Sequence, residues 1–371
     1  MLIDDMYPQR RVILGPEPYV RRFPSPGLEL SQLMTTPDPS PVIDLIDAFR
    51  RSKAMFTAVR LGLFDHLQRE PAALGALAAG VQANADALER LLDANVGLGL
   101  LHKLPDGRYA NTDVAAAYLC RSSPRALTGY VLYSDEVLFP MWANLLDAVR
   151  EGSHRWPQTF GTEGPIFDQF FRDPEAMRTF LLGMHGFGVI SSPRVAAAFD
   201  LSRFRRLVDL GGATGHLAMA ACERYPSLRG AVFDLAPVVD FAREQIRQSP
   251  AADRIELIAG DFFADPLPPA DLYAVGRILH DWSEEKIRRL LSKVFDALPA
   301  GGGLLIAEKI LAADKSGPTG AHMQSLNMLV CTEGKERTLE EYTALLRGAG
   351  FGEVRAHLTG APLDAVLAIK S

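Results

Sequence analysis

The stretch LVDLGGATGHLAMA, residues 207–220, decides the fold. Its first four residues read as a buried strand ending at Asp209-Leu210, a small-residue turn follows at Gly211-Gly212-Ala213-Thr214-Gly215, and a helix begins. Strand, glycine turn and helix in that order open an α/β unit whose ligand crevice lies at the carboxyl ends of parallel strands. Glycine serves where the chain turns sharply and where backbone must approach a ligand with no Cβ in the way. A dinucleotide fingerprint in the G-x-G-x-x-G frame needs a glycine at 210, and that position is Leu210. The frame here is D-x-G-x-A-x-G, which disfavours a nicotinamide-dependent dehydrogenase.

Working outward, the alternation of strand and helix continues to the C-terminus. RLVDL (206–210), GAVFD (230–234), IELIAG (255–260), DLYAVGRIL (271–279) and GLLIAE (303–308) are the strand candidates. EVRAHLT and AVLAIK, only a few residues apart, form an antiparallel pair. A helix is expected over 284–298, capped by Ser283, with Ile287, Leu290, Leu291, Val294 and Leu298 on its apolar stripe and Gly301-Gly302-Gly303 ending it. Three acids then fall at successive strand ends. Asp209, just ahead of the glycines, suits a cationic ligand. Asp234 lies about 20 residues beyond the turn, where a carboxylate accepts from ribose hydroxyls, with Leu235 beside it. Asp261, in GDFF, is placed for an adenine amino group, with Phe262 over the ring. A sulfonium- and ammonium-bearing cofactor fits such a frame better than a pyrophosphate does. S-adenosylmethionine (SAM) has that character. The candidate cofactor contacts in this frame are Asp209, Gly211, Gly212, Gly215, Asp234, Leu235, Asp261 and Phe262.

The whole chain has 371 residues, enough for two domains or one large α/β unit. It carries 39 basic and 45 acidic residues, for a formal charge of −6, which argues against a basic nucleic-acid face or a polybasic membrane anchor. No apolar run approaches the ~20 residues that span a bilayer, and the N-terminus lacks the apolar core and cleavage site of a signal peptide. Three scattered cysteines, Cys120, Cys222 and Cys331, make neither a disulfide framework nor a metal-ligand pattern, so no metal is expected. A cytoplasmic protein is the expectation.

Four segments are expected: a proline-rich extended tail (1–40), a helical domain (41–124), helices around the substrate pocket (125–200) and the cofactor-binding domain (201–371). In the second segment Leu45, Phe49, Phe56, Val59 and Leu63 form one stripe, and short helices follow around 72–80 and 84–98. LLHKLPDGRYANTD then makes a hairpin about Pro105-Asp106-Gly107. Helices closed by a hairpin form a winged-helix pattern, which raises DNA binding. The third helix, however, sets Asp86, Glu89 and Asp93 against a lone Arg90, the wrong sign for approaching phosphates. A packing or dimerisation module is the better reading. The third segment interleaves aromatics and histidines, of which Trp142, Met184, His185 and Phe187 are candidates for lining an apolar pocket.

At the end of the fourth strand stands GRILHDWSEEK. His280 falls at the lip of the crevice, where an imidazole can take a proton from a phenol or hydroxyl near neutral pH. From about residue 40 onward the chain resembles the plant-type and bacterial small-molecule O-methyltransferases. The resemblance rests on DLGGATG, VFDLAPVV, GDFFADPLPPADLY, RILHDWSEEK, PAGGGLLIAEKIL and SLNMLVCTEGKERT, and the last, with RILHDW, is most similar to the acetylserotonin (hydroxyindole) branch. It implies a Rossmann-like class I methyltransferase sheet, mostly parallel with one antiparallel strand near the C-terminus, preceded by a winged-helix dimerisation domain. SAM is then the cofactor, S-adenosylhomocysteine (SAH) the product, and a homodimer the assembly. By the same resemblance His280 is the general base, Glu308 and Glu336 orient it, and Arg277 and Asp281 are polar groups near the reaction centre. Asn327 matches a substrate-contacting asparagine.

Two positions depart from the pattern. Gly276 stands where many plant members have a cofactor-touching lysine, leaving Arg277 to compensate. Cys331 replaces a substrate-contacting glutamine of the hydroxyindole branch, which changes the preferred acceptor and argues against N-acetylserotonin itself. An O-methyltransferase acting on an aromatic or polyketide-like hydroxyl is the leading expectation. An N- or C-methyltransferase, or a non-methylating enzyme using the same cleft, would share the cofactor residues.

Overall fold

The computed structural model describes residues 37–171 and 173–371, so most of the expected tail lies outside the described residues. The chain divides into two compact units, residues 1–49 and 50–371. What is described of the first is the opening half of helix α1 (Ser40–Arg60), along which Val42, Ile43, Leu45 and Ile46 are exposed.

In the second unit α1 stops at Arg60 and Gly62, at φ +71°, turns the chain into α2 (Leu63–His66). Leu63 therefore belongs to a new helix. The expected single stripe breaks in burial as well, since Leu45 is 74% exposed and Val59 2%. Helices α3 (Leu74–Gly80) and α4 (Ala85–Gly97) follow, the latter capped by Asn84 Oδ1 accepting from the Ala87 amide at 3.0 Å. Strands β1 (Leu101–Lys103) and β2 (Tyr109–Asn111) pair antiparallel, and α5 (Asp113–Tyr118) completes this region. The acids of α4 are spent locally. Lys103 of the hairpin reaches Asp93 at 2.9 Å and Glu89 at 3.4 Å, and the Tyr109 hydroxyl donates to Asp93 at 2.7 Å. That pinning ties α4 to the hairpin.

Helices α6 (Thr128–Tyr133), α7 (Phe139–Trp142), α8 (Leu145–Glu151), α9 (Trp156–Phe160), α10 (Ile166–Phe170) and α11 (Pro174–Ala196) come next, with a π-helical turn over Ser134–Leu138. Asp135 in that turn is buried and pairs with Lys53 and Arg60 of α1. Helix α11 tolerates three glycines because it approaches its neighbours at backbone distance. A Cβ on Gly186 would stand 2.8 Å from Ala126 O, and one on Gly129 of α6 would stand 2.7 Å from the Leu182 carbonyl carbon.

The remaining chain builds a seven-stranded sheet of order β10-β11-β7-β6-β3-β4-β5. Its strands are β3 (Arg206–Leu210), β4 (Arg229–Asp234), β5 (Ile255–Ala259), β6 (Leu272–Gly276), β7 (Gly303–Glu308), β10 (Glu353–His357) and β11 (Asp364–Ile369). Only β11 runs against both its neighbours, as the short connection requires. The helices α12 (His216–Arg224), α13 (Ala236–Ile246), α14 (Glu284–Ala297), α15 (Thr319–Cys331) and α16 (Leu339–Gly348) alternate with these strands, and a two-residue pair, β8 (Ile310–Leu311) with β9 (Arg337–Thr338), links α15 to the sheet end. Apolar clusters cover both faces. Leu207, Leu217, Val232 and Leu305 belong to one, and Val208, Tyr273, Leu291 and Ile306 to the other.

Of the boundaries that differ from the sequence reading, two have a local cause. Strand β6 ends at Gly276, not at 279, because Arg277 takes φ +57° and the Ile278 and Leu279 amides both donate to Glu308 Oε1, at 3.0 and 2.9 Å. Helix α14 keeps its Ser283 cap but ends at Ala297, where Leu298 goes extended ahead of Pro299, so the glycine run forms the turn into β7 instead.

Candidate active site

The carboxyl ends of β3, β4, β5 and β6 open into a cavity of about 410 Å³ that α6, α10, α11 and α15 roof over. The glycine turn forms its floor. Gly211 at φ +65°, Ala213 at +48° and Gly215 at +79° hold it in left-handed backbone. Tight packing also demands glycine: a Cβ on Gly212 would lie 2.8 Å from the Asp209 carboxylate, and one on Gly211 would lie 2.6 Å from Ile278.

Of the cofactor candidates, Asp209, Gly211, Gly212, Asp234, Leu235, Asp261, Phe262 and Arg277 line the cavity. Gly215 does not. It caps α12 against Val232 and Ile246. The Asp234 carboxylate accepts from the Ala213 amide at 2.8 Å and from the Leu235 amide at 2.7 Å, tying β4 to the turn. Asp261 Oδ1 accepts from the Phe263 amide at 2.7 Å. Asp209 is 1% exposed, and its Oδ2 finds no partner among the described residues. Burial, with Asp234 nearby, pushes its carboxyl up to about 8, and burial lifts Asp234 to about 6. Arg277 is the one Lys or Arg among the described lining residues, and its Nε is likewise buried and unpaired. An orphaned carboxyl oxygen and an orphaned guanidinium nitrogen on residues of one cavity lining match the ammonium and carboxylate of an amino-acid-bearing cofactor. The residues present therefore fit SAM.

His280 sits in the turn after β6, 2% exposed. Its Nδ1 is 2.6 Å from Glu336 Oε1 and 3.2 Å from Glu308 Oε2, and its Nε2 is 3.7 Å from Asp281 Oδ1. Nδ1 donates to Glu336, which leaves Nε2 to face the cavity. Burial works against a charged imidazole here, but Glu308, Glu336 and Asp281 outweigh it and lift His280 to about 9. Burial raises Glu308 and Asp281. His280, Glu308 and Glu336 bring ligand atoms within 4.8 Å of one another. The 2.6 Å Nδ1–Oε1 separation is that of a charge-assisted hydrogen bond and falls short of the roughly 3.4 Å between two ligands of a tetrahedral metal site. Glu308 and Glu336 stand behind His280, outside the cavity lining.

The acceptor-side candidates separate into two groups. Asn327, Cys331 and Met184 line the cavity, whereas Trp142, His185 and Phe187 do not. Trp142 donates its indole N–H to Asn327 Oδ1 at 2.8 Å, His185 Nδ1 bonds Thr214 of the glycine turn at 2.8 Å, and Phe187 lies edge-on to Tyr130 and beneath the Arg277 guanidinium. These three brace the wall from behind. Sequence reasoning missed His216, a lining residue whose Nδ1 meets Ser192 Oγ at 2.8 Å. Burial drives it down to about 3, so it stays neutral. Its signal was the Gly188 of α11, where a Cβ would fall 2.1 Å from the imidazole. Tyr130 and Asp168 also line the cavity and carried no sequence signal.

Known proteins share the fold and match most of the chain. A family model described as an O-methyltransferase domain matches residues 142–352, and an O-methyltransferase dimerisation domain matches 43–121. Acetylserotonin O-methyltransferase of Gallus gallus is 41% identical over 90% of this chain and 97% of its own. A probable bifunctional dTTP/UTP pyrophosphatase/methyltransferase protein of Homo sapiens is 40% identical over 90% of this chain, which spans 54% of that longer protein. The crystal structure of human N-acetylserotonin methyltransferase in complex with SAM superposes with a TM-score of 0.87 at 37% identity, covering 91% of this chain and 99% of that one. With the catalytic half matched by the family model and such relatives along nearly its whole length, this chain belongs to the SAM-dependent O-methyltransferases.

Proposed function

We propose that this protein methylates a hydroxyl of a flat aromatic or polyketide-like small molecule, with His280 as general base. The observation that carries the reading is the 2.6 Å contact from His280 Nδ1 to Glu336, which supports Nδ1 as a standing donor and leaves Nε2 as the nitrogen to exchange the acceptor's proton. When bound, SAM supplies a methyl group made electrophilic by positive sulfur. Asp209 and Arg277 hold its ammonium and carboxylate, Asp234 its ribose, and Asp261 with Phe262 its adenine. Gly211 and Gly212 let the backbone approach it. His280 Nε2 takes the acceptor's proton, and Glu336 and Glu308 compensate the imidazolium that results. Asp281, 3.7 Å from Nε2, orients the hydroxyl. Confining donor and acceptor in one aromatic-walled cavity contributes several kcal/mol through proximity, and base removal of the proton contributes roughly 10²- to 10⁴-fold. Cys331 in the wall points to an acceptor other than N-acetylserotonin.

A homodimer assembled through the region of the dimerisation match accompanies this reading, with the boundaries 41–124, 125–200 and 201–371 as its domain plan. Among the described residues no helix is long and apolar enough to cross a membrane, and the three cysteines are free and buried, which suits a cytoplasmic enzyme. The test is transfer of labelled methyl from SAM to a panel of hydroxyindoles, phenols, quinolinols and polyketide phenols. Labelled O-methyl product that His280→Ala abolishes while still binding SAM supports the assignment. Loss confined to SAM affinity in that variant would sink it.

A further inference from the structure

Asn327 stands in the cavity wall on α15 with a carboxamide whose orientation the surrounding groups dictate. Its Oδ1 accepts the Trp142 indole N–H at 2.8 Å, and an indole nitrogen is a donor only. Turning the amide over would set two donors face to face, so the oxygen stays on Trp142 and Nδ2 stays away from it. Cys331 secures the same end. Its Sγ lies 3.7 Å from Asn327 Oδ1, and burial pushes the thiol far above its ordinary range, so it keeps its hydrogen. Met141 Sδ, 4.0 Å from that sulfur, is the weaker acceptor of the two. Both lone pairs of the amide oxygen are then taken from inside the protein. What Asn327 has left to offer is its pair of N–H donors. On its Trp142 and Cys331 side the wall is apolar, since those two share a cluster with Phe180 and Met184.

We infer that Trp142 and Cys331 are positioning residues that hold Asn327 as a pure hydrogen-bond donor, and that the acceptor accordingly carries a hydrogen-bond-accepting carbonyl on the ring system whose hydroxyl reaches His280. Ketone, quinone and amide carbonyls share that chemistry. An ammonium or a bare alkyl group at the same place leaves the Nδ2 hydrogens unpaired in a buried wall. The inference rests on the methyltransferase reading above and adds the acceptor's second functional group.

The test titrates SAH-loaded protein calorimetrically with the 3- and 4-hydroxy isomers of acetophenone, ethylbenzene and benzylamine. In the wild type one hydroxyacetophenone isomer binds about 5- to 10-fold tighter than the matching ethylphenol, the discrimination expected of one neutral hydrogen bond, and the hydroxybenzylamine binds weakest. Trp142→Phe keeps a ring but no N–H. It leaves SAH affinity within about twofold of wild type and cuts the ketone preference to about twofold or less, since the amide can then rotate. Asn327→Asp, an acceptor only, reverses the order of ketone and amine. A wild-type ketone-to-ethyl ratio near one in both isomers overturns the inference, and so does full ketone preference in Trp142→Phe. Failure to bind SAH at all would overturn the methyltransferase reading along with it, whereas SAH binding with no ketone preference overturns this inference alone.

Discussion

His280 is a base that its own neighbours keep protonated. Three carboxylates hold it as imidazolium up to about pH 9, and only the neutral ring can accept a proton. The sign follows directly. The active fraction grows as pH rises through that value, so kcat/KM should climb across pH 7–9, with an apparent pKa that belongs to the whole cluster. Glu336→Gln removes one of the carboxylates and moves that limb to lower pH; a limb that stays in place would show that Glu336 exerts no charge on the base. Asp209 yields a second prediction. With its carboxyl up at about 8, it is largely protonated at neutral pH and must ionise to meet a cation. SAH binding should therefore release a proton and tighten as pH rises from about 6 to 8, and Asp209→Asn should flatten both effects, as titration calorimetry in buffers of different ionisation enthalpy would read. The types and places of these residues were legible from the glycine frame and from GRILHDW. Their partners were not. Nothing local in Trp142 announces an asparagine 185 positions further along, and His185 and Phe187 read as pocket residues because periodicity cannot tell the front of a wall from its back.

At the scale of elements, the glycines of α11 are spent on proximity. Gly188→Ala gains up to ~1 kcal/mol of helix propensity, but its methyl would fall 2.1 Å from His216 beneath the cofactor turn. Overpacking of that kind costs about 1–3 kcal/mol, so the variant should be less stable in urea and bind SAH more weakly. The same change at Gly75 of α3, where a Cβ meets open space, should stabilise by about 0.5 kcal/mol. If both substitutions moved stability the same way, α11 would not be closely docked. Strands β3 and β7 were legible to the residue, because each is an apolar run bounded by a turn. The end of β6 was hidden, since GRIL continues the apolar pattern and it takes Glu308, thirty residues away, to bend it into the turn that carries His280.

For the whole molecule, the order of strands and helices stated the architecture before any packing was known, because right-handed crossovers and one short connection leave few ways to lay seven strands. Assembly is the part that one chain displays least directly. Val42, Ile43, Leu45 and Ile46 are 53–74% exposed along α1, more apolar surface than a lone helix keeps in water without cover. Light scattering should give twice the chain mass, and Ile43→Glu with Leu45→Glu should give the monomer; a wild-type monomer would remove the dimer from the proposal. A helix with glycines at 183, 186 and 188 has little tendency to form alone, so α11 waits for α6 and α12, the helices against which it packs. Its contacts then arise after the folding barrier, and loosening substitutions there should leave the folding rate almost untouched while they quicken unfolding. The roof over the cavity would be the last part to arrive and the first to leave, and a bound cofactor, by pinning the turn beneath it, would lengthen the lifetime of the folded enzyme.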